Sequence, residues 1–120
     1  MNIKVLVAGD TENLLPELFK KRLHLYLEHF IERENVVNLL CKEDYKHLVN
    51  QYITEHKLTS SQIKCAYYKQ SELGEWALSE LIKTTADCAI IFANTENSSC
   101  TRLIELCEWF SSKYRVVNYH

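Results

Sequence analysis

The chain has 120 residues, 47% of them hydrophobic, which suits one domain with a buried core and is too short for two. Fourteen basic and sixteen acidic side chains give a formal net charge of -2. The protein as a whole therefore has no electrostatic attraction for nucleic acid or an anionic membrane, and such a partner would need a local basic patch. No apolar run approaches the roughly 20 residues of a membrane helix, and the start MNIKVLVAGD lacks signal-peptide features, so we expect a cytoplasmic protein.

The first predicted elements are a strand and a long amphipathic helix. Ile3–Ala8 is a β-branched apolar run, typical of a parallel strand buried on both faces. Helical spacing follows over Leu14–Arg33, with Asn13 as the expected N-cap and Pro16 in the first turn. The KKR sequence at 20–22 lies largely off the apolar stripe and predicts a solvated face. The expected inward residues are Leu15, Phe19, Leu23, Leu27 and Phe30.

Two further strands and a second helix complete the first half. Val36–Cys41 and Ile63–Tyr68 predict strands, and the residues between them have helical periodicity from about Asp44. The helical histidines follow no metal-ligand spacing, so we interpret them as surface or rim residues. These histidines are His24, His29, His47 and His56.

The second half continues the alternation and defines the fold class. We expect a helix over Ser71–Lys83, a strand over Cys88–Ala93, a helix capped by Ser98 or Ser99, and a last strand over Arg115–Tyr119. This order predicts a single three-layer α/β domain over residues 1–120, with a five-stranded parallel sheet of order 3-2-1-4-5 and helices on both faces.

A ligand cleft is expected where that strand order reverses, between strands one and four. The loops that follow these strands are GDTEN and NTENSSCT, and both precede helix starts, whose free N–H groups favour anions. An alternative is that their polar residues serve only as helix caps and turn formers. The ligand-binding candidates are Gly9, Asp10, Thr11, Tyr68, Ser71, Asn94, Thr95, Ser98, Ser99 and Thr101.

Candidate catalytic groups are few. Asp10 and Glu72 are the expected acid/base residues, and Tyr68 ends a strand where it can stack on a base. The five cysteines are dispersed with no CxxC pair, so we expect neither a disulfide framework nor a metal site, and no cofactor. Cys100 falls at a helix start, which lowers a thiol pKa and leaves a reactive role open.

The segments KVLVAGD and GEWALSELIKTTADCAIIFANTENSSCTRLIELCEWF resemble the SLOG superfamily of Rossmann-like nucleotide-binding domains, which includes lonely-guy phosphoribohydrolases and DNA-processing proteins. Nucleoside deoxyribosyltransferases have a similar layout. The resemblance implies a strand-ending Gly9, an Ala86-Asp87 pair before strand four, and a phosphate-binding Thr101. Cys100 replaces the glycine of the family's Gly-Thr motif, and Ile104 stands where enzymatic members have glutamate, which argues against an intact phosphoribohydrolase.

The sequence therefore leaves two alternative functions open. In the first, the chain binds a nucleotide or nucleotide-derived molecule as a sensor or sequestering protein, with N-glycosidic cleavage as the reaction if it is catalytic. In the second, it is a degenerate receiver-like module that binds proteins and takes no small ligand. Helix-borne aromatic residues then supply an interface, which also suits a homodimer. These residues are Trp76, Trp109 and Phe110.

Overall fold

A computed structural model of the chain describes residues 2–69, 87–94, 104–105, 107–108 and 113–119. These residues form one open sheet whose four strand pairings are all parallel, in the order β3-β2-β1-β4-β5, which confirms the predicted α/β fold and strand order. The elements are β1 (Asn2–Gly9), α1 (Pro16–Glu32), β2 (Val36–Lys42), a 3-10 helix (Glu43–Tyr45), α2 (Lys46–Glu55), β3 (Ile63–Tyr68), β4 (Cys88–Asn94) and β5 (Lys113–Tyr119).

Both faces of the sheet carry apolar side chains, because successive residues of a strand point to opposite faces. One face packs against α1 and α2, and its core is centred on Phe19, whose ring lies 4.9 Å from Phe92 and 5.0 Å from Tyr45. The opposite face carries a smaller cluster that includes Leu6 and Ile91. Every strand of this parallel sheet therefore contributes to burial, as the apolar runs predict.

The start of α1 differs from its prediction. Leu15, not Asn13, is the N-cap, and no side chain caps the helix; Pro16 occupies the first turn as predicted. Asn13 instead has φ 58°, a left-handed conformation that turns the chain toward the helix. As a result Leu15 lies at the edge of the helix with 66% of its surface exposed, and its place on the inward stripe was wrong.

Lys20 contradicts the prediction of a solvated KKR face. Only 6% of the Lys20 surface is exposed, whereas Lys21 and Arg22 are exposed as predicted. The Lys20 ammonium lies 2.6 Å from a carboxylate oxygen of Glu55 and 3.0 Å from one of Glu17. The hydrogen bond to Glu55, and then that to Glu17, raise the pKa of Lys20, so this cation joins α1 to the end of α2.

A second polar contact joins the same two helices. His24 Nδ1 lies 3.1 Å from the hydroxyl oxygen of Tyr52, and the His24 ring stacks on that of His56 with centroids 4.0 Å apart. His29, His47 and His56 are exposed, as expected of surface residues, whereas His24 is half-buried. The stack places His24 inside the α1–α2 contact.

Parts of the second half lie outside the described residues, including the predicted helix over Ser71–Lys83. Of the predicted last helix, Ile104 and Cys107 are described in helical conformation, with Cys107 buried and Ile104 half-buried as expected. In the part of the chain that the structure describes, no helix has the length and apolar character needed to span a bilayer.

Candidate functional site

The strand order reverses between β1 and β4, and the chain segments leaving these strands meet at that point. Gly9 is paired with Phe92 in the register of the two strands. The backbone N–H of Asp10 continues this contact by donating to the Phe92 carbonyl over 2.7 Å. The predicted convergence of the two loops is therefore present at their first residues.

Gly9 allows this close approach, and the partner it approaches is β4. Its φ of 127° lies in a region that side-chain-bearing residues rarely adopt, and a Cβ placed on it would lie 2.2 Å from the Phe92 carbonyl oxygen. The close contact with β4 is by itself sufficient to explain why this position requires glycine. The sequence predicted that Gly9 contacts a ligand, whereas its close contact in the structure is with the Phe92 backbone.

Asp10 and Asn94 tie the two loops together. The Asp10 side-chain oxygen Oδ2 accepts a hydrogen bond from the backbone N–H of Asn94 over 2.9 Å. Both residues are buried, with 8% of Asp10 and 2% of Asn94 exposed. The hydroxyl of Tyr45 donates to the Asp10 backbone carbonyl over 2.7 Å, which fixes the same turn from the 3-10 helix. We call this contact between the loops the Asp10–Asn94 junction.

The Glu12 carbonyl extends the junction to the edge of the sheet. It accepts a hydrogen bond from the Asn94 side-chain amide over 3.1 Å and another from the Tyr119 hydroxyl over 2.8 Å. Side chains from β4 and β5 therefore hold the loop after β1 in place. Thr11, the next candidate in this loop, is exposed, and its carbonyl accepts the N–H of Leu14 over 3.2 Å.

Lys42 is a cation at this end of the sheet that the sequence interpretation did not single out. It is the last residue of β2, half-buried, and its ammonium donates to the Gly9 carbonyl over 3.1 Å. The predicted strand ended at Cys41, so the lysine was assigned to the following loop. Extending β2 by one residue places Lys42 beside the carboxyl end of β1.

Tyr68 lies on β3 beside Lys42, and its ring is too buried to offer a free face for stacking on a base. The two residues are paired in the strand register, but only 8% of Tyr68 is exposed and its ring packs in the cluster of Leu6 and Ile91. Tyr67 faces the other side, with the Lys46 ammonium 5.5 Å from its ring centroid. Tyr67 therefore packs beside α2, on the sheet face opposite the Tyr68 ring.

Several predicted site residues lie outside the described residues, so the structure does not place them. They include the candidate acid/base residue Glu72 and the thiol of Cys100. The others are Ser71, Thr95, Ser98, Ser99 and Thr101.

The described thiols have the properties of core residues. Burial raises the pKa of Cys41 well above its ordinary value, and burial is also the largest cause that raises the pKa of Cys65, Cys88 and, to about 11, Cys107. Such thiols are poor nucleophiles at neutral pH. Among the residues that the structure describes, no three metal-ligating side chains lie together.

Two cavities that described residues line lie away from the junction. The larger, about 330 Å³, is on the middle of β1, β2 and β3, and the smaller, about 160 Å³, lies between α1 and the first halves of β4 and β5. Gly9, Asp10 and Asn94 line neither of them. Neither of these two cavities is therefore part of the Asp10–Asn94 junction.

Sheet order and connectivity define the class of this protein as a doubly wound, Rossmann-like α/β domain with a switch point between β1 and β4. Comparison of the chain with protein-family models, curated proteins and solved structures gives no match.

Proposed function

We propose that the chain binds a nucleotide or nucleotide-derived small molecule beyond the carboxyl ends of β1 and β4. The observation that carries this proposal is the Asp10–Asn94 junction, since it holds the two loops together at the switch point, where ligands bind in open α/β sheets. Lys42 adds a positive charge beside it. This is also the location implied by the resemblance to the SLOG superfamily, which supports the same class of ligand.

Sensing or sequestration is the form of this function that the contacts support best. One Asp10 oxygen accepts the Asn94 N–H, so the carboxylate has a structural role beside any catalytic one. If turnover accompanies binding, we propose cleavage of an N-glycosidic bond. Chromatography of nucleoside monophosphates incubated with the protein tests that step, and the Glu72→Gln variant tests whether a carboxylate carries it.

A thermal-shift screen of nucleotides, NAD derivatives and cyclic nucleotides tests binding. A ligand present at about 100 times its dissociation constant stabilises the folded state by about 2.7 kcal/mol, which gives a measurable rise in Tm. We expect Lys42→Met and Thr101→Ala to reduce the shift, and Lys21→Met, an exposed lysine on α1, to leave it unchanged. A shift that survives both site variants would place the ligand elsewhere.

A protein-interaction module without a small ligand is the second candidate. It is favoured by the closed packing of the junction, where the Phe92 backbone fills the space beside Gly9 and the Asp10 and Asn94 side chains are buried. This candidate predicts no shift with any member of the screen. Light scattering after gel filtration then measures whether the proposed homodimer forms, and the Trp76→Ala and Trp109→Ala variants test the helix-borne aromatic residues.

A further inference from the structure

The smaller cavity, of about 160 Å³, lies on the sheet face that packs against α1. Its described walls include two half-buried aromatic residues of α1, Tyr26 and Phe30, and the half-buried Cys88 of β4. Two exposed cations of β5, Lys113 and Arg115, complete them. Lys113 pairs with Cys88 in the strand register, so these side chains are neighbours on this face. The cavity is therefore aromatic on the helix side and cationic on the strand side.

The described residues of the predicted last helix lie on the other face of the sheet. Ile104 and Cys107 pack there with the cluster that includes Leu6 and Ile91. The connection from β4 to β5 thus passes over that face at Ile104 and Cys107, and these residues do not cover the cavity beside α1.

Two arginines extend the cationic border along α1. Arg22 precedes Tyr26 by four positions, and Arg33, the C-cap of the helix, follows Phe30 by three, so helical spacing places all of them on one flank. Both arginines are exposed, and they stand about 16 Å apart along the helix axis. We call this flank and the cavity beside it the α1–β5 groove. Its border carries four cations, which are Arg22, Arg33, Lys113 and Arg115.

None of these four cations forms an ion pair with another described residue. One guanidinium nitrogen of Arg115 donates to a neighbouring backbone carbonyl over 2.9 Å, which does not neutralise its charge. Burial, and then the charge of Asp87, raise the pKa of Cys88, whereas the charges of Arg115 and Lys113 lower it, so both cations act on the cavity. The Asp87 carboxylate itself accepts the backbone N–H of Lys4 over 2.8 Å. Cations gathered in this way repel one another, and a bound anion relieves the repulsion.

The size of the cavity indicates what kind of anion enters it. Its volume is about half of the roughly 300 Å³ at which sites for whole small molecules begin, so it fits one group of a longer molecule. Arginine suits phosphate groups, and aromatic rings in a cationic groove stack on bases in proteins that bind single strands. An acidic peptide supplies the charge without the rings, and a duplex keeps its bases stacked inside.

We propose that the α1–β5 groove binds single-stranded nucleic acid, with phosphate groups on the four cations and a base in the cavity beside Tyr26 and Phe30. The net charge of -2 gives the protein as a whole no attraction for such a partner. This groove is the local basic patch that the interaction requires.

Fluorescence anisotropy with the intact protein tests the proposal, using labelled single-stranded DNA and RNA of about 12 nucleotides, the matching duplexes and a polyglutamate peptide. We expect one or both single strands to bind at least about tenfold more tightly than the duplexes and the peptide. The logarithm of the binding constant should fall with that of the salt concentration with a slope of about −3, because each of four phosphate contacts contributes about −0.7. A smaller preference for the single strand, or no binding of either strand, would overturn the proposal.

Two double variants localise the binding. Arg22→Met/Lys113→Met removes one cation from each side of the groove, so it should weaken binding at least about tenfold and bring the salt slope to about −1.5. Lys21→Met/Lys64→Met causes the same loss of charge at exposed positions that do not line the cavity, and it should leave affinity and slope unchanged. Equal weakening in the two double variants would show that the groove is not the site.

Substitutions of Tyr26 test the stacked base. Tyr26→Leu should weaken binding about fivefold or more without changing the salt slope, whereas Tyr26→Phe keeps the ring and should bind like the wild type, with circular dichroism verifying that both variants are folded. Unchanged affinity of the folded Tyr26→Leu variant would overturn the role of the ring. Lys42→Met, at the proposed nucleotide site, should leave strand binding unchanged, and a loss in this variant would place the strand at the switch point instead.

Discussion

The Asp10 carboxylate lies 2.9 Å from the backbone nitrogen of Asn94, 84 positions further along the chain, and accepts its hydrogen bond. Because a charged acceptor binds a buried N–H strongly, this contact stabilises the point where the two halves of the sheet meet. Asp10 therefore has a structural role at the switch point, independent of any catalytic role.

Asp10→Ala should destabilise the protein, because it removes the acceptor of a buried N–H. We expect a loss of about 1–3 kcal/mol in the free energy of unfolding, measured by urea denaturation followed by circular dichroism. Asp10→Asn keeps an oxygen acceptor without the charge and should lose at most about half as much. Equal losses in the two variants would show that the hydrogen bond to Asn94 is not the cause.

Gly9→Ala should be more damaging than any substitution in the neighbouring loop. The new methyl group would lie 2.2 Å from the Phe92 carbonyl oxygen, on a backbone that alanine rarely adopts. Strain and overlap together should cost about 3 kcal/mol or more. Thr11→Ala, at an exposed position two residues later, is the control and should change stability by less than about 0.5 kcal/mol. Near-native stability of Gly9→Ala would mean that β1 and β4 separate easily at this end.

Strand positions and sheet order were predictable because they depend on local apolar runs and on general rules of connection. Ile63–Tyr68 was predicted with its observed bounds, and β1, β2, β4 and β5 were each longer than their apolar runs. Strand ends carry polar residues that pair through the backbone alone, so side-chain type does not reveal them. Lys42 escaped notice for this reason.

Contacts between distant segments were not predictable from periodicity. Lys20 looks solvated on a helical projection, and only the approach of α2 brings Glu55 to it. The resemblance correctly placed Gly9 at the end of the first strand, but the register that brings Phe92 beside it requires the paired strands. Asn13 resembles a helix cap in sequence, yet its left-handed conformation makes it a turn residue.

Phe19 should be the position where the packing of α1 on the sheet is most sensitive to truncation. Its ring contacts both Phe92 on β4 and Tyr45 beside the junction. Phe19→Ala should cost about 3–5 kcal/mol in the free energy of unfolding, whereas Phe19→Leu, which keeps most of the volume, should cost about 1–2 kcal/mol. Leu25→Ala, at an exposed position on the same helix, should cost less than about 0.5 kcal/mol. A small loss for Phe19→Ala would contradict this account of the core.

Alkaline pH should destabilise the protein through Tyr52 and the buried thiols. Burial, and then the charge of Glu28, raise the pKa of Tyr52 from 10.0 to about 12, and burial raises the pKa of Cys41. A group whose pKa is higher in the folded state stabilises the protein fully below its unfolded pKa, and this contribution is lost as the pH rises toward the folded value. For Tyr52 the rise in pKa from 10.0 to about 12 corresponds to a loss of about 3 kcal/mol between about pH 10 and 12. Urea denaturation at increasing pH should show wild-type stability falling more steeply over this interval than that of Tyr52→Phe. Parallel pH profiles for the two proteins would rule out this role for Tyr52.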